Sequence, residues 1–356
     1  MKNAGRIIRS ATFEGMADEF GNPTREYVEL YENLAINGIK HIIMGFMFIS
    51  TEGRAMHKGQ AGMNAPEKVE KFKPVTNAVH NHGRKIYAQI AHTGRQTTNT
   101  GCDIVGVSSK KSAYFNETPR TLTTTECYEI AKQFANSALF AKQAECDGIQ
   151  IHAAHGYLIH QFMTKKINNR KDTFAEPFRF LETVIENIRN KCGDLPIWIK
   201  VSGNADDFAG LIKFLDRMKV DLIEVSYGTM DYALNIFRGS VPLKIILKHN
   251  PLINKWNWLK FALKLKKYTP MYNLKYAELA KRHTNIPISV VGGFRTAKEV
   301  ENCKIDYVSL CRPFICEPDL LQKEDWKSSC VNCNACAVMV DSKNNKLRCY
   351  NGRKSN

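Results

Sequence analysis

The sequence predicts an α/β chain folded as a (β/α)8 TIM barrel, with a helical insertion after the sixth strand and a Cys-rich C-terminal tail. Three observations carry that reading. Short apolar, β-branched runs recur eight times along the 356 residues. The stretches between them are long enough for helices and carry helix signals. No G-x-G-x-x-G follows any run, which lowers the case for an open dinucleotide-binding sheet. Strands buried on both faces read as continuous apolar runs, and eight of them alternating with helices close most simply into a barrel.

The runs are IIRSATF (7–13), HIIMGFM (41–47), KIYAQIA (85–91), GIQIHAA (148–154), PIWIKVS (196–202), LIEVSYG (222–228), PISVVGG (287–293) and DYVSLCR (306–312). Between the first two, Thr24 follows Pro23 and opens REYVELYENLA, which stops before Gly38. Thr123 with Glu126 forms a capping box for the amphipathic stretch that runs to Gly148. The expected division is a barrel over 1–325, an insertion over 229–285 within it, and a Cys-rich segment over 326–356.

Composition bounds the function. An apolar fraction of 44% suffices for one large core. No run of about 18 apolar residues occurs, and MKNAGRIIRS lacks the apolar stretch of a signal peptide. A cytoplasmic chain with no membrane partner is the expectation, and its 11 cysteines are too scattered for a secreted disulfide framework. The net charge of +16 suits anions such as phosphorylated cofactors. Much of that excess lies in the aromatic, lysine-rich segment 246–283, which would suit single-stranded nucleic acid or a membrane surface. Its more ordinary reading is an inserted helical excursion with lysines in water, and no nucleic-acid partner is expected.

Barrel chemistry sits at the C-terminal strand ends. There the runs deliver Ser10, Ala11 and Thr12; Gly45 and Phe46; Gln89 and His92; His152, His155 and Tyr157; Lys200; Gly228; Gly292 and Gly293; and Cys311 with Arg312. Glycines after the seventh strand and an arginine after the eighth stand where barrels commonly hold phosphate. In GIQIHAAHGYLIHQF, an i, i+3 histidine pair converges only if the strand ends between the two and the backbone turns.

These ends also carry a family likeness. IIRSATFEGMADEFGNPT, YAQIAHTGRQ, GIQIHAAHGYLIHQF, VVGGFRT and VSLCRPFICEPDL resemble successive motifs of the old yellow enzyme family, FMN-dependent NADH:flavin oxidoreductases and ene-reductases. The likeness implies FMN with NAD(P)H as electron donor, and reduction of activated C=C bonds in ping-pong fashion. It implies that Ser10, Ala11 and Thr12 lie along the flavin, with Phe46 among the cofactor contacts. Gln89 would meet the pyrimidine edge and Lys200 the region of N1 and O2. Gly292, Gly293, Cys311 and Arg312 would hold the phosphate. His152 and His155 would grip the substrate oxygen, and Tyr157 would donate a proton. A structural histidine pair and a metal site are the competing readings of that motif.

Two departures stand out. The glycines that the family carries after Asn168 and Asn169 are missing from RKDTFAEPFRFL, and Phe13 stands where some members have a redox-tuning cysteine. In the tail, Cys330, Cys333, Cys336 and Cys349 are spaced C-x2-C-x2-C-x12-C, similar to the iron-sulfur segment of the longer 2,4-dienoyl-CoA reductase branch. A [4Fe-4S] cluster, zinc or free thiols all remain open there. Competing functions are a tRNA dihydrouridine synthase, whose Asn-x-Gly-Cys-Pro cysteine is absent, and a flavin-binding protein without turnover. A homo-oligomer, the individual alkene and the choice between NADH and NADPH are left open.

Overall fold

Residues apolar on both faces gather where both faces are covered, and here they form the staves of a closed barrel. The computed structural model describes residues 4–98, 101–241, 244–245, 247, 263, 265–340 and 346–351. In chain order the strands are β1 Ile7–Arg9, β2 His41–Ile43, β3 Met47–Phe48, β4 Lys85–Ala91, β5 Val105–Gly106, β6 Arg120–Thr121, β7 Gly148–Ala153, β8 Ile197–Ser202, β9 Leu222–Ser226, β10 Ile288–Val291 and β11 Tyr307–Leu310. The parallel order β2-β1-β11-β10-β9-β8-β7-β4 is closed by pairing of β2 with β4, while β3 adds to β4.

All eight expected strands are present. Most are shorter than the apolar runs that announced them, because the last residues of six of the eight runs leave the ladder to build the mouth, while β4 and β8 extend to the ends of theirs. The run 7–13, for example, is strand only over Ile7–Arg9. Three short pieces were not foreseen: β3, and the two-residue pair β5 and β6. Segments of two residues have no detectable period.

The helices follow their caps. α1, Arg25–Ile36, starts where the Thr24 hydroxyl accepts from the Tyr27 amide. α2, Thr124–Gln143, opens on the reciprocal Thr123 and Glu126 capping box. α2 packs on α3, Arg179–Cys192, and buries Phe134, Ala135, Ala138 and Ala141. The helix Leu274–Lys281 packs against β10. It lies within the basic stretch 246–283, of which residues 246, 248–262 and 264 fall outside the described residues.

The barrel interior departs from the usual apolar filling. Ser10, Gln89, Gln150, Lys200, Glu224, Ser289 and Ser309 are all buried, and the register sets Gln89 beside Gln150, Lys200 beside Glu224, and Glu224 beside Ser289. A polar layer therefore underlies the mouth. Among the described residues, no helix is long and apolar enough to cross a membrane.

Candidate active site

The turn that the histidine spacing requires is present. β7 ends at Ala153, and His155 and Gly156 both take left-handed backbone conformations, with φ of 60° and 82°. A non-glycine residue there is strained and persists only where its surroundings fix it. They do: the His155 amide donates to Ser202 Oγ at 3.0 Å, and its carbonyl accepts from the Met230 amide at 2.7 Å. The reversal carries the two rings to a centroid separation of 5.0 Å.

Tyr157 joins them, with its ring 4.7 Å from His152 and stacked on Phe46 at 5.5 Å. Phe46 also meets Phe13, which in turn stacks on His57. His57 was not singled out from the sequence because it sits in a loop far from every strand end.

Both histidines of the pair are neutral. Burial pushes the His152 imidazole well below its ordinary range, helped by the Lys200 charge. Burial does the same to His155, helped by His152 and Lys200. The Nδ1 of His152 accepts from the Ala154 amide at 3.3 Å, which leaves the ring proton on Nε2. His155 Nε2 lies 2.8 Å from Ser226 Oγ. If that hydroxyl donates, the ring keeps an N–H at Nδ1. Ser226, which also lines the cavity described next, was signalled in the sequence only by its place at the end of β9.

One cavity at the C-terminal strand ends is lined by Ser10, Ala11, His155, Lys200, Gly292, Gly293, Cys311 and Arg312. Thr12 adjoins it, its hydroxyl 3.1 Å from Cys311 Sγ. Gln89 does not reach the wall directly. Its Nε2 donates to Gln150 Oε1 at 2.6 Å, and Gln150 donates to Glu224. At the far end the chain takes positive φ at Gly292 and Gly293, of 132° and 90°. A Cβ on Gly292 would lie 2.6 Å from the Tyr272 ring, and one on Gly293 2.6 Å from the Met271 nitrogen. Only glycine fits this turn. Bare backbone facing an arginine is the donor set that a phosphate monoester such as that of FMN calls for.

Arg312 also faces a second cavity. That one is lined by Cys316, Cys330, Cys333, Cys336 and Cys349. Asn332 and Asn334 have φ of 55° and 53°, and these two left-handed residues curl the loop. The cysteines line one side, while Asn332 lines the first cavity and Asn334 Oδ1 accepts from Arg312 at 2.7 Å. Burial raises the thiols of Cys330 and Cys316, and pushes Cys336 up to about 12. Among the described residues, no group of three or more His, Cys, Asp or Glu side chains is placed to hold a single metal ion. Cys316, outside the C-x2-C pattern, was missed from the sequence.

Comparison with known proteins agrees with this geometry. Residues 1–327 match the model of the NADH:flavin oxidoreductase / NADH oxidase family. The chain is 28% identical over 372 residues to an NADH oxidase of Thermoanaerobacter brockii, covering 97% of this chain and 53% of that protein, so it spans about half of that relative's length. It is 28% identical over 330 residues to an NADPH dehydrogenase of Geobacillus sp. (strain WCH70), covering 88% of this chain and 87% of the relative. Its fold is similar to an old yellow enzyme homologue of Zymomonas mobilis, with a TM-score of 0.72, 22% identity, and coverage of 92% and 91% of the two chains. The chain is an NAD(P)H:flavin oxidoreductase that takes FMN, and it belongs to the NADH:flavin oxidoreductase / NADH oxidase family.

Proposed function

We propose that the chain reduces activated C=C bonds, such as those of α,β-unsaturated carbonyl compounds, with His152 and His155 gripping the substrate oxygen. The observation that carries this is the converged, neutral histidine pair beside a tyrosine, on the rim of the cavity with the phosphate cradle. Ser10, Ala11, Lys200, Gly292, Gly293, Cys311 and Arg312, with Thr12 beside them, would hold FMN in that cavity, where it would supply the hydride acceptor and donor between NAD(P)H and the alkene.

The protein's own part is electrostatic and geometric. Two imidazole N–H groups aimed at one oxygen stabilise the negative charge that grows there as the β-carbon is reduced. Neutral rings donate hydrogen bonds without transferring a full proton. The left-handed backbone at His155 fixes that ring before substrate arrives, so little reorganisation is needed. Tyr157 stands beside the pair to deliver the α-carbon proton. Phe46 and Phe13 exclude water from this face, and the oxygen grip selects substrates with an electron-withdrawing carbonyl or nitro group.

We also read the five-cysteine cavity as holding a [4Fe-4S] cluster rather than zinc. Thiolates around a cluster stand farther apart than those on one ion, which fits cysteines that share a cavity without converging on a point. The division into barrel (1–325), excursion (229–285) and tail (326–356) belongs to the same reading. Nothing favours a dihydrouridine synthase over it.

A turnover assay tests the function. Protein reconstituted with FMN should oxidise NADH or NADPH beyond one equivalent per flavin under anaerobic conditions only when an enone such as 2-cyclohexenone is added, with saturated ketone formed in step with that further oxidation. Sustained anaerobic cofactor oxidation beyond one equivalent per flavin with no alkene reduced, or no further oxidation when the enone is added, would refute the reading.

A further inference from the structure

Glu224 is fully buried on β9, two residues before Ser226, where a lone carboxylate would be strongly disfavoured. It is not alone. Its Oε2 lies 3.1 Å from Lys200 Nζ and accepts from Gln150 Nε2 at 3.0 Å. Lys200 Nζ in turn donates to Ser10 Oγ at 2.9 Å, and Gln150 accepts from Gln89. Burial works to raise the Glu224 carboxyl, but the Lys200 ammonium and the hydroxyls of Ser309 and Ser10 outweigh it, so the group stays ionised. The result is one continuous chain, Gln89–Gln150–Glu224–Lys200–Ser10. Its two outer ends and its lysine are residues named for the flavin, and its two middle members are not.

The charge of Lys200 therefore reaches the cavity already compensated. A cation beside a flavin favours the reduced, anionic form, while a carboxylate one contact further away opposes it in proportion to its distance. Because both groups are nearly dry, neither effect is screened by solvent.

We propose that Glu224 is a positioning residue that sets the reduction potential of the bound flavin: it fixes the Lys200 ammonium at the cavity wall and offsets its charge. The proposal rests on the reading that FMN occupies this cavity. Gln150 serves the same end from the other side, holding the carboxylate so that Gln89 and Lys200 keep a common register.

Equilibrium potentiometry against reference dyes, together with the affinity of apoprotein for oxidised FMN, tests this. In E224Q the lysine charge is uncompensated, and reduced FMN should be held about tenfold more tightly relative to oxidised FMN, a positive shift of ~30 mV for a two-electron couple. K200Q should shift the potential in the opposite direction by a similar factor. The double variant K200Q/E224Q leaves no unpaired buried charge and should fold, with a potential within about threefold of wild type on the same scale. If E224Q does not fold, the contrast between K200Q and the double variant carries the test. A potential in E224Q equal to or below wild type, or identical potentials in K200Q and the double variant, would overturn the role of Glu224. A K200Q potential and FMN affinity both unchanged would instead show that the flavin does not lie against Lys200.

Discussion

Replacing Arg312 by alanine separates the phosphate site from the cysteine loop that shares its wall. The guanidinium donates through Nη1 to the Arg238 carbonyl at 2.9 Å and to Asn334 Oδ1 at 2.7 Å, and lines the cavity beside Gly292 and Gly293. Loss of a charge-assisted phosphate contact costs about 1.5–3 kcal/mol. At about 1.4 kcal/mol per decade, that weakens FMN binding roughly 10- to 150-fold. The two internal bonds contribute about 0.5–1.5 kcal/mol each to the fold, so the melting temperature of the apoprotein should fall as well. Fluorescence titration of the apoprotein with FMN and with riboflavin distinguishes the two effects. Riboflavin lacks the phosphate, so its affinity should change by threefold or less, whereas Asn334→Ala should lower stability and affect the two ligands alike. Equal losses for FMN and riboflavin in Arg312→Ala, or no loss for either, would refute the phosphate assignment.

Further outcomes follow from the same geometry. Tyr157→Phe should slow reduction of enones that need an enzyme-delivered proton by about 10²-fold or more, yet leave electron transfer to quinones within about twofold; equal slowing of both in stopped-flow traces would remove the acid role. His92 and His160 are buried and held at about 4, far below an unfolded value of ~6.5. The unfolded chain therefore takes up protons first as pH falls, so stability is full above pH ~6.5 and drops below it, by about 2 kcal/mol for each of these groups at pH 5. Denaturant midpoints that stay level from pH 7 to pH 5 would contradict this. An anaerobic preparation should carry about four irons per chain, lost in Cys333→Ser; stoichiometric zinc, or no metal, would exclude the cluster.

Most of the barrel was legible because parallel strands covered on both faces leave continuous apolar runs, and because Thr24, Thr123 and Glu126 mark helix starts by side-chain chemistry alone. The histidine pair was legible for a similar reason: its spacing makes sense only if the strand stops, and φ of 60° at His155 is that stop. What escaped was polar and internal. Gln150 and Glu224 sit in the bodies of apolar runs, where one polar residue among isoleucines does not disturb the pattern, although each is buried and hydrogen-bonded. Ser226, His57 and Cys316 gain their meaning from residues distant in sequence, through contacts that no local spacing encodes. The left-handed turns at Asn332 and Asn334 belong to the same class: the sequence shows cysteine spacing, but not that Asn332 faces the other cavity while Asn334 accepts from Arg312 on the cysteine side.

The central claim is that His152 and His155 hold the oxygen of an alkene substrate, and single-turnover stopped-flow tests it most directly. Wild type and His155→Ala, both loaded with FMN and reduced under anaerobic conditions, are mixed with 2-cyclohexenone while flavin absorbance is followed. Removal of one oxyanion donor should slow reoxidation by about 10²- to 10³-fold, with FMN affinity and the rate of reduction by NAD(P)H changed by less than about threefold. Reoxidation of His155→Ala at the wild-type rate would mean that the pair is structural and that the substrate oxygen lies elsewhere.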